Sequence, residues 1–130
     1  MEVRLLKADL RTFRPEEEFD IIYSSGVLHY LGEDLRAGVL DHYKAHTAPG
    51  GLHALNVFVK KPFLPVPPDE ESPDTLWRSG ELALCYHDWR LHTCREDIFD
   101  CQSSGVPHRH CMDTLLAERP GEDEIQVNPR

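Results

Sequence analysis

Residues 19–23, Phe-Asp-Ile-Ile-Tyr, are almost unbroken in apolarity, dense in β-branched and aromatic side chains, and stopped by Ser24-Ser25-Gly26. Such a run suits a strand covered on both faces, as in a parallel sheet. Its surroundings make the same demand. Residues 33–46 predict a helix: Glu33 and Asp34 open it, and Leu35, Val39 and Tyr43 recur at spacing four. Ala48-Pro49-Gly50-Gly51 predicts a turn that stops the helix. Residues 52–59 predict another strand, closed by Lys60-Lys61-Pro62. Upstream, the short apolar run 3–6 predicts a strand ending in an acidic turn at Asp9, and Arg14-Pro15-Glu16-Glu17-Glu18 a polar connection. Strand, loop, strand, helix, strand is the order of an α/β chain with right-handed crossovers and a parallel sheet.

The second half changes character. Pro62, Pro65, Pro67, Pro68 and Pro73, mixed with acidic residues, predict an extended loop with little room for ladder bonds. Residues 80–86 predict a short helix. Residues 89–101 and 108–116 predict two strands, and the short connection 102–107 between them predicts antiparallel pairing. Residues 119–130 are polar, hold Pro120, Gly121 and Pro129, and are expected to fray. The expected organisation is one domain over 1–118 and a polar tail.

A length of 130 residues fits a single core. The formal charge of −9, from 14 basic and 23 acidic residues, disfavours a phosphate backbone, so no nucleic-acid partner is expected. No apolar stretch approaches the ~20 residues of a membrane span, and Met1-Glu2-Val3-Arg4 does not resemble a secretory leader. The expectation is a cytoplasmic protein with no membrane partner. Cys85, Cys94, Cys101 and Cys111 form no C-x-x-C pair and are expected as free thiols.

Ligands of open α/β sheets bind outside the carboxyl ends of the strands. Two such ends carry candidate residues. Asp9 can accept from an amine or hydroxyl, and Ser24-Ser25-Gly26 lets a ligand come close to the backbone. The alternatives are a helix cap or turn for Asp9, and an ordinary strand-to-loop turn for the second.

The segment Phe19-Asp20-Ile21-Ile22-Tyr23-Ser24-Ser25-Gly26-Val27-Leu28-His29-Tyr30-Leu31 resembles the fourth-strand motif of class I, Rossmann-like S-adenosylmethionine-dependent methyltransferases. Thr47-Ala48-Pro49-Gly50-Gly51-Leu52 resembles their Pro-Gly-Gly turn before the fifth strand, and Asp9-Leu10 their adenine-contacting acidic turn. Gly80-Glu81-Leu82, then Tyr86 and Trp89, resemble the tellurite-resistance-type branch. The resemblance implies the C-terminal part of a Rossmann-like methyltransferase sheet, parallel strands plus an antiparallel terminal pair. The implied function is methyl transfer from S-adenosylmethionine to a small acceptor: a thiol, a tellurite-like species or another small molecule. It implies that Asp9 and the Leu10 backbone meet adenine, that Ser24, Ser25 and Gly26 line the sulfonium end, and that His29 serves as base. For His29 the plainer alternative is a helix-entry residue packing on the sheet.

The chain departs from that family where the cofactor is usually anchored. Its eight glycines include no G-x-G, and no acidic residue matches the one that grips the ribose. Met1 falls where the third strand begins, so the N-terminal glycine-rich part is expected to be missing and methyl transfer impaired. In the family order third, second, first, fourth, fifth, seventh, sixth, residues 3–6 lose their neighbour and residues 19–23 expose an edge. Self-association through that edge is the expected consequence, and a non-catalytic remnant that binds a partner or itself is the first alternative function.

A metal-binding module is the second. Cys101, His108, His110 and Cys111 crowd one stretch, with Cys85 and His87 nearby. On a strand His108 and His110 share a face while Arg109 and Cys111 point away. The whole set is not expected to converge, so no metal ligand is expected. Trp77, Tyr86 and Trp89 read as a lid over a cleft or as plain core.

Overall fold

The structure, a computed structural model, describes residues 2–65, 75–102 and 105–121. Its elements are β1 (Phe19–Ser24), α1 (Glu33–Ala45), β2 (Thr47–Val59), α2 (Glu81–Cys85), β3 (Arg90–Cys101) and β4 (His108–Glu118), with a 3-10 turn at Leu28–Tyr30. They form a mixed α/β architecture around one four-stranded sheet in the order β1-β2-β4-β3. β1 and β2 are parallel, and β4 lies antiparallel between β2 and β3. This is the order implied for the fourth, fifth, seventh and sixth strands. The polar tail expected from 119 lies outside the described residues beyond 121, as does most of the proline-rich loop, 66–74.

Alternation along the strands gives the sheet two unlike faces. His53, Leu55, Val57 and Val59 of β2 and Cys111, Leu115 and Ala117 of β4 point to one side and are buried. There they meet Val39 and Leu40 of α1, Leu82 of α2, and Trp77, Tyr86 and Trp89. The three aromatics are core, which settles their reading against a lid. Two buried cations latch the helices together. Arg36 meets both carboxylate oxygens of Glu81 at 3.0 and 3.1 Å, donates to the Leu31 carbonyl at 3.1 Å, and lies 4.6 Å from the Trp77 ring. Lys44 donates to the Cys85 carbonyl at 2.6 Å and to Asp88 at 2.7 Å. The opposite side, with Ile21 and Tyr23 of β1 and Asn56 and Phe58 of β2, is more open; Ile21 is 64% and Tyr23 73% exposed.

Two expectations are corrected. Residues 3–6 form no strand: Val3 and Leu6 are each 69% and Leu5 92% exposed. A strand exists through its pairing, and this run has no partner, because the chain after it turns tightly at Asp9, whose carbonyl accepts from Thr12 and Phe13 N–H at 3.0 and 2.8 Å. The Phe13 and Pro15 carbonyls then dock on Tyr43 and His42 of α1. Among the described residues the outer edge of β1 has no strand neighbour in the sheet. The second correction is at Pro49-Gly50-Gly51, which lies inside β2 and does not precede it. The pairing with β1 jumps there, from Phe19 opposite Thr47 to Ile21 opposite Leu52. The bulged residues instead bond to the end of β4, through Gly50 N–H to the Arg119 carbonyl (2.9 Å) and Arg119 N–H to that of Gly51 (2.8 Å). A Cβ on Gly51 would sit 2.8 Å from the Ala48 carbonyl and 2.9 Å from that of Asp20, so this close approach admits only glycine.

Candidate functional site

At the carboxyl end of β1 the backbone must leave the sheet, and small residues let it do so tightly. Gly26 takes φ +67°, the left-handed region, and its N–H donates to Asn56 Oδ1 at 2.9 Å. Asn56 in turn donates to Ser25 Oγ at 3.0 Å. The loop is thereby stapled to β2, and Ser24, Ser25, Val27 and Leu28 form one rim of a cavity of about 440 Å³. Leu10, from the N-terminal segment, forms another part of its wall. Three residues singled out from sequence, Leu10, Ser24 and Ser25, therefore converge.

The other candidates do not join them. Asp9 is absent from the wall and faces Arg11, which holds its carboxylate through the backbone N–H (2.9 Å), Nε (3.1 Å) and Nη2 (2.9 Å). The side-chain hydrogen bonds from Arg11 keep its pKa below the ordinary value. Gly26 shapes the rim but does not line the cavity. His29 also stands outside it; its ring lies 4.3 Å from Tyr30 and 5.9 Å, stacked, from Phe58. That is the packing of a residue entering a helix over the sheet.

The floor holds residues that the sequence reading missed. His53 and Tyr86 both line the cavity. Thr47 Oγ donates to the Tyr43 carbonyl at 2.7 Å, so it accepts from His53 Nε2 at 2.8 Å, and His53 Nδ1 accepts from the Tyr86 hydroxyl at 2.6 Å. The chain of donors fixes a neutral imidazole. Burial, then the Lys44 charge, pushes the His53 pKa down to about 4, and burial pushes that of Tyr86 upward. The missed signal was period two: His53 alternates in phase with Leu55, Val57 and Val59 and so had to face the core.

A second cluster lies at the far end of the β3–β4 hairpin. Cys101 pairs with His108 across the ladder, and His110 lies two residues on, on the same face. One ligand atom from each lies within 4.8 Å of the others. Cys111 is on the covered face, its thiol pushed up to about 11 by burial first. Of the His/Cys set, Cys101, His108 and His110 come together, although no metal ligand was expected. No disulfide joins Cys85, Cys94, Cys101 or Cys111.

No family model and no curated protein matches the sequence. Solved structures do resemble the fold. TehB from Haemophilus influenzae superposes with a TM-score of 0.73 at 22% identity, over 86% of this chain and 39% of its own. A SAM-dependent methyltransferase from Methanosarcina mazei gives 0.61 at 11% identity, over 88% and 66%. The 1,6-didemethyltoxoflavin-N1-methyltransferase of Burkholderia thailandensis, solved with S-adenosylhomocysteine bound, gives 0.60 at 15%, over 90% and 51%. These likenesses show the fold alone, a mixed α/β sheet that these proteins share. The chain spans about two-fifths of the length of TehB. No helix among the described residues is long and apolar enough to cross a membrane.

Proposed function

We propose that this chain binds S-adenosylmethionine at the carboxyl end of β1 and serves methyl transfer to a small acceptor, a thiol, a tellurite-like species or another small molecule. The observation that carries the reading is the convergence of Leu10, Ser24 and Ser25 on one cavity, at a strand end where ligands of such sheets bind. The residues present fit a nucleoside cofactor: hydroxyls stand on one rim, and Leu10, Ile22 and Leu55 supply apolar wall. The bound cofactor supplies a methyl group already activated by sulfonium. The protein's share is proximity, orientation and exclusion of water. Ser24 and Ser25 offer hydrogen bonds, while Asn56 holds the loop in place. Asp9 reaches adenine only when Arg11 releases it. His29, beside the same loop, is the base for an acceptor that carries a proton. The TM-score of 0.73 to TehB, against 0.61 and 0.60 for the other two, supports the tellurite-resistance-type branch. The same reading places the protein in the cytoplasm.

The test is ligand-observed NMR with S-adenosylhomocysteine, on the chain and on Ser24→Tyr, whose ring fills the rim. With no glycine-rich loop in the sequence, affinity on the order of 1 mM is expected, worth about 4 kcal/mol, and Ser24→Tyr abolishes it. Absence of binding at millimolar ligand, or unchanged binding in Ser24→Tyr, contradicts the proposal.

Self-association is a second reading, supported by the unpaired outer edge of β1 and by exposed Ile21 and Tyr23 beside it. Light scattering tests it: a dimer or larger species is expected, and a monomer at all concentrations rejects it.

A further inference from the structure

We propose that Cys101, His108 and His110 form a three-ligand zinc site at the end of the β3–β4 hairpin, completed by a fourth ligand from outside the trio. The proposal does not depend on the methyltransferase reading, because the trio lies on the sheet face opposite the cavity.

Backbone geometry brings the ligands together. Cys101 and His108 are direct partners in the antiparallel ladder, and His110 follows at the two-residue repeat that returns a side chain to the same face. Their ligand atoms lie within 4.8 Å of one another. The two imidazoles point their Nε2 atoms at each other across 3.0 Å. Zn–N bonds of about 2.0–2.1 Å at the tetrahedral angle set two nitrogens about 3.3 Å apart, so a small widening admits the ion. Thiolate with imidazole is a donor set that suits zinc and disfavours calcium or magnesium.

The surroundings orient the ligands as a metal site requires. His108 Nδ1 donates to the Val106 carbonyl at 2.7 Å, which leaves the Nε2 lone pair facing the cluster. A ligating histidine usually makes this second hydrogen bond, which fixes its tautomer and ring plane. His110 is buried, and its ring stacks 4.3 Å from Phe58 with an interplanar angle of 15° and lies 5.7 Å from Phe99. Two of the three ligands are therefore held in place before any ion arrives. Asp100, Cys101, Gln102, Pro107, His108 and Arg109 line a cavity of about 350 Å³ at the hairpin end, which two of the three ligands reach. Zinc takes four ligands, so one from outside the trio completes the tetrahedron. Arg109 and Asp100 pair with each other and are not ligands.

The test uses the reduced 130-residue chain. Competition with a chromophoric chelator measures zinc, and Co²⁺ absorbance reads the ligand set. One zinc per chain is expected, and the cobalt form should show tetrahedral d–d bands with a thiolate charge-transfer band. Cys101→Ser should remove that band, and both Cys101→Ser and His108→Gln should weaken zinc by at least about 10–100-fold, the range seen even for outer-shell partners. Cys94→Ser and His87→Ala, outside the cluster, should bind as the parent does. Zinc uptake unchanged in Cys101→Ser and His108→Gln overturns the site. So does a parent chain whose cobalt spectrum lacks the thiolate band, a result that stands even if a variant fails to fold.

Discussion

The two faces of the sheet use the same residue types to opposite ends. On the face covered by α1 and α2, His53 has both ring nitrogens engaged, by Thr47 and Tyr86, and is held neutral. On the open face, His108 and His110 direct nitrogens at each other beside Cys101. Cover makes the difference. Where helices exclude water, a polar side chain must be satisfied internally or the fold loses stability. On the other face His110 is buried against Phe58 while Cys101 and His108 are half-buried, and the imidazoles meet each other and a thiol instead of a hydroxyl pair. Buried chemistry on one face thus serves stability, and half-buried chemistry on the other serves binding.

The largest expected break is on the covered face. Trp77 is fully buried under Arg36, and Trp77→Ala should cost about 3–5 kcal/mol, as for other buried aromatics. Urea unfolding followed by far-UV circular dichroism measures it. Leu116→Ala, on the half-exposed opposite side, should cost clearly less, and equal losses would erase the distinction between the faces.

Acid sharpens the comparison. Burial lowers the His53 pKa from 6.5 to about 4. Protons therefore favour the unfolded chain: this contribution is complete above pH 6.5 and is lost as pH falls toward 4, by about 3 kcal/mol. Asp113 acts in the opposite sense. Burial first, then the facing Glu96, raises its pKa from 3.8 to about 6, so its contribution is present at low pH and is lost as pH rises through 6. Asp113→Asn should thus steepen the loss on acidification between pH 6 and 4, and His53→Gln should flatten or reverse it. Stability curves of both variants that parallel the parent's would contradict these assignments.

The succession of elements was readable from local signals, Ser24-Ser25-Gly26, the helix 33–46, and the short loop between 101 and 108, whereas the placing of β4 between β2 and β3 was implied only by the family resemblance. The run 3–6 misled because its apolar pattern is local and strand formation is not: it pairs with no strand among the described residues, although β1 stands at the edge of the sheet. Pro49-Gly50-Gly51 reads as a turn, yet Arg119 recruits it into β2 from the far end of the chain. Of the residues lining the cavity, Ser24 and Ser25 were singled out at a strand end and Leu10 through the family resemblance. His53 was not singled out, since its partner Tyr86 lies 33 residues away in sequence. Cys101 joined the histidines only through the hairpin register, which pattern alone does not fix.

The smallest effect is expected at Asp9. Its exposed pairing with Arg11 should contribute little, so Asp9→Ala should leave stability essentially unchanged. A thermal unfolding shift of several degrees would show that the turn at Asp9 anchors more of the fold than its contacts indicate.

Backbone amide spectra of a single labelled sample, titrated separately with S-adenosylhomocysteine and with zinc, test the division of labour most directly. S-adenosylhomocysteine should shift Leu10 and residues 24–28 while leaving 101–110 in place, and zinc should shift 101–110 while leaving 24–28 in place. Shifts from either ligand that fall on the other's residues, or are spread evenly over the sheet, would contradict the account.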